Sequence, residues 1–181
     1  NGSVCPDEEL LDAIVSLKDG ELIAKQGVMI AYKVAGRKPV EKEELSMFRT
    51  IEYSGNFTRI SVPEDIFKSN DAELSKDFGL ITRGRVSAAL SSTNRFIGDN
   101  VFAEEGAEAE CSTFNSKNGP IYLGSNAQVW EGCHIRGSFA LCHDSQVKMG
   151  AKIYGQTTNG PYSRVGGEIN NAVVWGYSSK G

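Results

Sequence analysis

From Leu123 onward the chain can be written in sixes: LGSNAQ, VWEGCH, IRGSFA, LCHDSQ, VKMGAK, IYGQTT, NGPYSR, VGGEIN, NAVVWG. A period of six matches neither the 3.6 residues of a helix nor the simple alternation of a strand. The first position reads Leu, Val, Ile, Leu, Val, Ile, Asn, Val, Asn, and seven of these nine are large aliphatics. The fifth reads Ala, Cys, Phe, Ser, Ala, Thr, Ser, Ile, Trp; six of the nine are small residues that let a backbone turn close to a core. A fixed internal period means a stacked architecture, because one such unit cannot bury its apolar side alone. Upstream, Ile97, Ala103 and Ala109 continue the frame until an eight-residue step to Leu123 through "NSKNGPIY", read as a two-residue insertion at a bulged corner.

The first third is different in kind. Pro6 followed by Asp7, Glu8 and Glu9 makes a favourable first helical turn, since proline needs no amide partner there and the acids face the positive end of the dipole. Leu10, Leu11, Ile14 and Val15 continue it at helical spacing, so a helix is expected over 6–18, ended by Asp19-Gly20. "ELIAK" and "VMIAYKV" around Gln26-Gly27 predict a hairpin. A short acidic helix at "EKEELSMF" and strands near Ile51 and Ile60 complete an α+β segment, 1–62, too small for a whole catalytic α/β domain. A helical linker, 63–96, follows. In it Asn70 is read as the N-cap with Glu73 three places on, and Leu74, Phe78 and Ile81 fall on one face.

Composition excludes several roles. Lysine and arginine number 19 against 23 acids, a net charge of -4 with no cationic run, which argues against a nucleic-acid partner. No apolar segment approaches the roughly 20 residues needed to cross a bilayer, and no secretory leader is visible, so the expected location is the cytoplasm, with no membrane partner. The four cysteines lack CxxC spacing and are expected as buried free thiols. The first residue, Asn1, is not methionine, and the chain is read as an internal piece of a longer parent.

The hexads, with "GPIYLG", "WEGCHIRG", "KMGAKIYGQTTNGPYSRVGGEINN" and "GYSSKG", resemble the hexapeptide-repeat sugar nucleotidyltransferases. These are similar to the bifunctional N-acetylglucosamine-1-phosphate uridylyltransferase/glucosamine-1-phosphate acetyltransferase. The resemblance covers 63–181 closely and 1–62 more loosely. It implies a mainly β chain in which 97–181 form a left-handed parallel β-helix, three hexads to an 18-residue coil. On that repeat Leu123 lies over Leu141, Val129 over Val147 over Val165, and Ile135 over Ile153, while Phe139, Thr157 and Trp175 share a corner. Fully burying Leu141, Val147 and Ile153 would contribute roughly 1.5–3 kcal/mol each before ordering entropy. The hand comes from the family alone, since the rule for parallel crossovers predicts the opposite one.

The resemblance further implies nucleotide-sugar biosynthesis: joining a sugar 1-phosphate to a nucleotide, with an acyltransferase-like β-helix and a trimeric assembly. Glu168 and Asn170 correspond to its acceptor side, and Lys180 to a lysine preceding the family's catalytic histidine. Asn171 joins the first two in "GGEINN", where an amide at an inward position could equally form a ladder. Arg83 and Arg85 in "TRGR" are further candidates for a sugar phosphate, against a plain solvated face. No catalytic residue or metal ligand is assigned. Residues 1–62 hold no glycine-rich nucleotide loop followed by Arg or Lys, and the chain stops before the histidine, so this piece is expected to be inactive. No cofactor is expected on it; Mg2+ and acetyl-CoA belong to the parent. His134 and His143 stand half a coil apart, on opposite sides of the triangle, and are read as solvated or corner-capping. Gly132 and Gly150 share a corner column, with Glu168 expected in it one coil later. Trp130 and Tyr154, just after inward positions, are expected between subunits. The alternatives are a non-enzymatic trimerisation module and a stand-alone acyltransferase.

Overall fold

The computed structural model describes residues 1–36, 40–41 and 43–181. They form two compact units, Asn1–Asp65 and Ile66–Gly181. No described helix is long and apolar enough to cross a membrane.

In the first unit β1 (Val4–Cys5) leads into α1 (Glu8–Val15). The helix is shorter than the expected 6–18. Asp7 is extended and accepts a hydrogen bond from the Leu10 amide at 2.9 Å, so it caps the helix from outside and Pro6 precedes the cap. β2 (Glu21–Lys25) and β3 (Val28–Lys33) form the expected hairpin. β4 (Arg49–Glu52) adds in parallel to β2, and β5 (Thr58–Arg59) pairs antiparallel with β1. The acidic segment yields one 3-10 turn, Glu44–Met47; Lys42 of that motif lies outside the described residues. Leu10, Leu17, Ile23, Ile30 and Tyr53 fill this unit's core.

The second unit is a parallel β-helix of five coils on three sheets, preceded by α2 (Glu64–Thr82). The helix starts six residues before the expected cap. Asp65 accepts from the amides of Ser61 and Val62, fixing its start beside Pro63, and Asn70 lies inside it. Asn70 instead docks the helix, donating to the Gln156 carbonyl at 3.0 Å and accepting from Thr158 Oγ1 at 2.7 Å. Glu73, expected as the cap's partner, pairs with Lys76.

One sheet takes Val101–Ala103, Ile121–Leu123, Phe139–Leu141, Thr157–Asn159 and Val173–Val174. It is covered on the outside by α2. The second takes Glu108–Ala109, Gln128–Val129, Gln146–Val147, Arg164–Val165 and Ser179–Lys180, and Gln146 donates to Gln128 across it. The third, here the open sheet, takes Arg95–Ile97, Thr113–Asn115, His134–Arg136, Lys152–Tyr154 and Glu168–Asn170. The predicted columns stand: Leu123 on Leu141, Val129 on Val147 on Val165, Ile135 on Ile153, all buried. The small fifth positions have a polar task as well. Ser145 and Ser163 are buried, as is Ser112 one place earlier in its hexad, and their hydroxyls donate to the carbonyls of Gly160, Trp175 and Trp130 at corners of the following coil.

The frame slips at both ends. Upstream, Phe96 stacks on Phe114 and Phe114 aligns with Ile135, so Phe96 and not Ile97 carries the inward column. Downstream, Ile153 pairs with Ile169, a step of 16, and Asn159 with Val174, a step of 15. The last coil is therefore shortened. Ile169 and Val174 point inward, Trp175 is exposed and leaves the Phe139–Thr157 corner, and neither Glu168, Asn170 nor Asn171 enters the core. Gly132 and Gly150 both have φ of 73°, but Gly167, also at 73°, holds the third corner, not Glu168. Of the cysteines only Cys133 is buried. Cys5 and Cys142 are half-buried and Cys111 is exposed, a correction to the expected four buried thiols.

Candidate functional site

The open sheet is where the frame slip matters. Strand alternation sends Phe114, Ile135, Ile153 and Ile169 inward and their neighbours outward. Two outward lines result. One runs Arg95, Thr113, His134, Lys152, Glu168; the other runs Ile97, Asn115, Arg136, Tyr154, Asn170. His134, Arg136, Lys152, Tyr154, Glu168 and Asn170 are all exposed. Successive strands lie about 4.8 Å apart, so Lys152 is one spacing from both His134 and Glu168.

Glu168 is the acidic member of a line that also carries Arg95 and Lys152, and it is positioned. Tyr154 Oη donates a short hydrogen bond to Glu168 Oε1 from the neighbouring strand. That bond, with the carboxylate's charge, pushes the Tyr154 phenol above its usual range. Asn170 follows on the same strand and sits over the corner at Gly155. There φ is 67°, and a Cβ would run into Asn170 Oδ1 and the Asn171 amide, so only glycine fits beneath the amide. Asn171 takes the next corner with φ of 48°, a conformation asparagine tolerates.

Lys180 reaches the same end of the prism. It ends the second sheet opposite Val165, and its ammonium donates to the carbonyls of Gly166 at 3.0 Å and Gly181 at 3.1 Å. Gly166 belongs to the turn that delivers Glu168. Glu168, Asn170 and Lys180 thus gather at the fifth coil.

Arg83 and Arg85 are elsewhere. Both follow α2; Arg83 is exposed, and Arg85 forms a two-pronged pair with Glu104 at 2.8 and 2.5 Å while also donating to the Ile81 carbonyl. Glu104 belongs to the first coil, so four strand spacings, roughly 19 Å along the axis, separate this pair from Glu168. His134 and His143 stand apart as expected: His143 occupies the corner between the other two sheets, bonded to Asp144 at 3.0 Å and packed on Tyr162. Among the described residues no group of three His, Cys, Asp or Glu side chains converges as a metal site.

The open face can bind an anion and hold a carboxylate beside it. Arg136, Lys152 and His134 supply donors, and Glu168 supplies an acceptor for hydroxyl or amine hydrogens. Sequence reasoning passed over Arg136, Lys152 and Tyr154 as site members. The signal was available: the residues on either side of every third inward position must share one outer face.

A family model described as sugar nucleotidyl transferase matches residues 1–86. No curated protein and no solved structure matches the chain. The matched span takes in the whole first unit and α2, and ends before the first strand of the β-helix at Arg95. It supports kinship with sugar nucleotidyl transferases through the part of the chain whose resemblance was the looser.

Proposed function

We propose that the chain is part of a sugar-1-phosphate nucleotidyltransferase carrying an acyltransferase-like β-helix, and that it acts in nucleotide-sugar biosynthesis. The observation that carries this reading is the sugar nucleotidyl transferase match over residues 1–86, joined to a β-helix with a cationic open face. In this reading Lys152 and Arg136 take the phosphate of a sugar phosphate, and Glu168, steadied by Tyr154, accepts from the sugar's hydroxyl or amine groups. Asn170 and Lys180 close the same end. The open sheet also meets neighbouring copies in a trimer in the cytoplasm. Acetyl-CoA and Mg2+ belong to the reaction of a longer parent; no step is assigned to either on these residues.

The test is Glu168→Gln in the full-length protein, read by melting and by turnover together. An exposed change away from buried networks should alter stability by under ~1 kcal/mol. Loss of the carboxylate should lower kcat/KM for the sugar phosphate about tenfold, the worth of one charge-assisted hydrogen bond. A large fall in melting temperature with normal turnover would make Glu168 a structural residue and remove the open face from the reading.

A further inference from the structure

The outward residues of the second sheet stand in two lines read across the coils. One runs Glu108, Gln128, Gln146, Arg164, Ser179; the other, on the far side of the inward Ala109, Val129, Val147 and Val165, runs Glu110, Trp130, Lys148, Gly166. Charge is divided along the axis. Carboxylates stand on the first coil and cations on the third and fourth, with two amides between them.

The acidic half forms a receptacle. Glu108, Glu110 and Glu131 surround Trp130 and Gln128 in a cavity of about 280 Å3. Thr93 donates to Glu110 at 2.6 Å and, with Ser91, holds its carboxyl below the ordinary range, so it stays ionised. The basic half does not spend its cations within the chain. The exposed Arg164 side chain makes no hydrogen bond or ion pair among the described residues, and three strand spacings, roughly 14 Å, put it out of reach of Glu108. The Lys148 stem runs over Gly166, where an added Cβ would lie 3.2 Å from its Cβ and 3.3 Å from its Cδ. Glycine thus leaves the stem its path toward the fourth coil. Between the two halves Gln146 donates to Gln128 Oε1 at 2.8 Å, which leaves amide hydrogens to give on Gln128 and an oxygen to accept on Gln146.

We infer that this face packs on the same face of a second copy, coils antiparallel, about a two-fold axis parallel to the strands and level with the gap between Gln128 and Gln146. The first coil then meets the fourth, and the second meets the third. Glu108 faces Arg164 of the second copy, and Gln128 donates to Gln146 of the second copy. The Lys148 stem of the second copy crosses the Trp130 ring, with its ammonium toward Glu110. Each contact occurs twice, as a self-complementary interface requires, and the cations fill the acidic cavity. A parallel arrangement would set Glu108 on Glu108 and Arg164 on Arg164, so charge selects the register. The face is narrow, five strands of two residues, and the contact falls at the low end of specific interfaces, under about 1,200 Å2 in total, so it dissociates on dilution. It makes no use of the third sheet, the trimer contact of the proposed function.

The test is sedimentation velocity of the 181-residue chain over a concentration series, read together with Trp130 emission in a Trp175→Phe background, since the chain has two tryptophans. Sedimentation should rise with concentration, Trp130 emission should move to shorter wavelength in step, and added salt should weaken both by screening the charge pairs. Glu108→Arg and Arg164→Glu should each weaken association at least about tenfold. Mixing the two single variants, or joining both changes in one chain, should restore it, because either arrangement sets opposite charges together again. That recovery also shows that each variant is folded. Lys152→Met on the third sheet should leave the Trp130 shift in place. A Trp130 emission that ignores concentration overturns the pairing, as does a mixture, and a doubly changed chain, that associate no better than the single variants. Association abolished by Lys152→Met and untouched by Arg164→Glu would put the contact on the third sheet and overturns it as well.

Discussion

Asn159 occupies an inward position between Leu141 and Val174, fully buried, and neither its Oδ1 nor its Nδ2 has a hydrogen-bond partner in the structure. An unsatisfied buried polar group costs about 1–3 kcal/mol, and leucine has the same branched outline without it. Asn159→Leu should therefore raise the melting temperature by about 2–4 °C for each kcal/mol recovered in a chain of this length. A fall, measured by calorimetry, would show that the amide has a partner in solution. At this scale the inward aliphatics were legible, because the burial they need recurs at every sixth residue. Glu168 was not placed correctly. The shortened last coil removes residues from a turn, and a one-residue error in frame exchanges the inward and outward faces of a strand.

α2 shows why elements are harder to read than positions. The proline-then-acid signature that announced α1 recurs at Pro63-Glu64-Asp65, yet Asn70 offered a more familiar cap and drew the start too late. Its polar residues serve the tertiary contact: Asp71 accepts from the buried Ser138 hydroxyl at 2.6 Å, and Arg85 clamps Glu104 beyond the far end. The Arg85 guanidinium holds the Glu104 carboxyl below its ordinary 4.5, and the Tyr122 hydroxyl, donating at 2.9 Å, adds to this. Burial, then the Glu104 bond, pushes that phenol up to about 12. A carboxyl with a depressed folded-state pKa contributes stability that is present above its unfolded value and lost as pH falls through the folded one. Arg85→Gln should thus lower the melting temperature above about pH 5, with the gap to the native protein closing as pH drops below 4.5. A gap that stays constant to pH 3 would show that Arg85 acts through its packing over Phe102 and not through charge.

At the scale of the molecule, the β-helix followed from periodicity, because stacking repeats its demands on every coil, and the α+β segment before it from helix-start and turn signals. The open face did not. Its residues, Arg136 and Lys152 among them, share nothing along the chain except an outward position on one of three sheets, and that emerges only once the coils are stacked. The matched family covers residues 1–86, while the proposed acceptor face lies on the fifth coil, so the account stands on both parts belonging to one sugar-phosphate enzyme. The most direct measurement is release of pyrophosphate from a nucleoside triphosphate and a sugar 1-phosphate, with acetyl-CoA consumption followed in parallel. It should be run on the 181-residue chain and on the longer parent proposed above, taken as the full-length protein. The account predicts pyrophosphate release dependent on both substrates by the full-length protein and none by the 181 residues, which hold no glycine-rich nucleotide loop in 1–62. A folded full-length protein that releases no pyrophosphate with any sugar 1-phosphate, or turnover by the 181 residues alone, would contradict it.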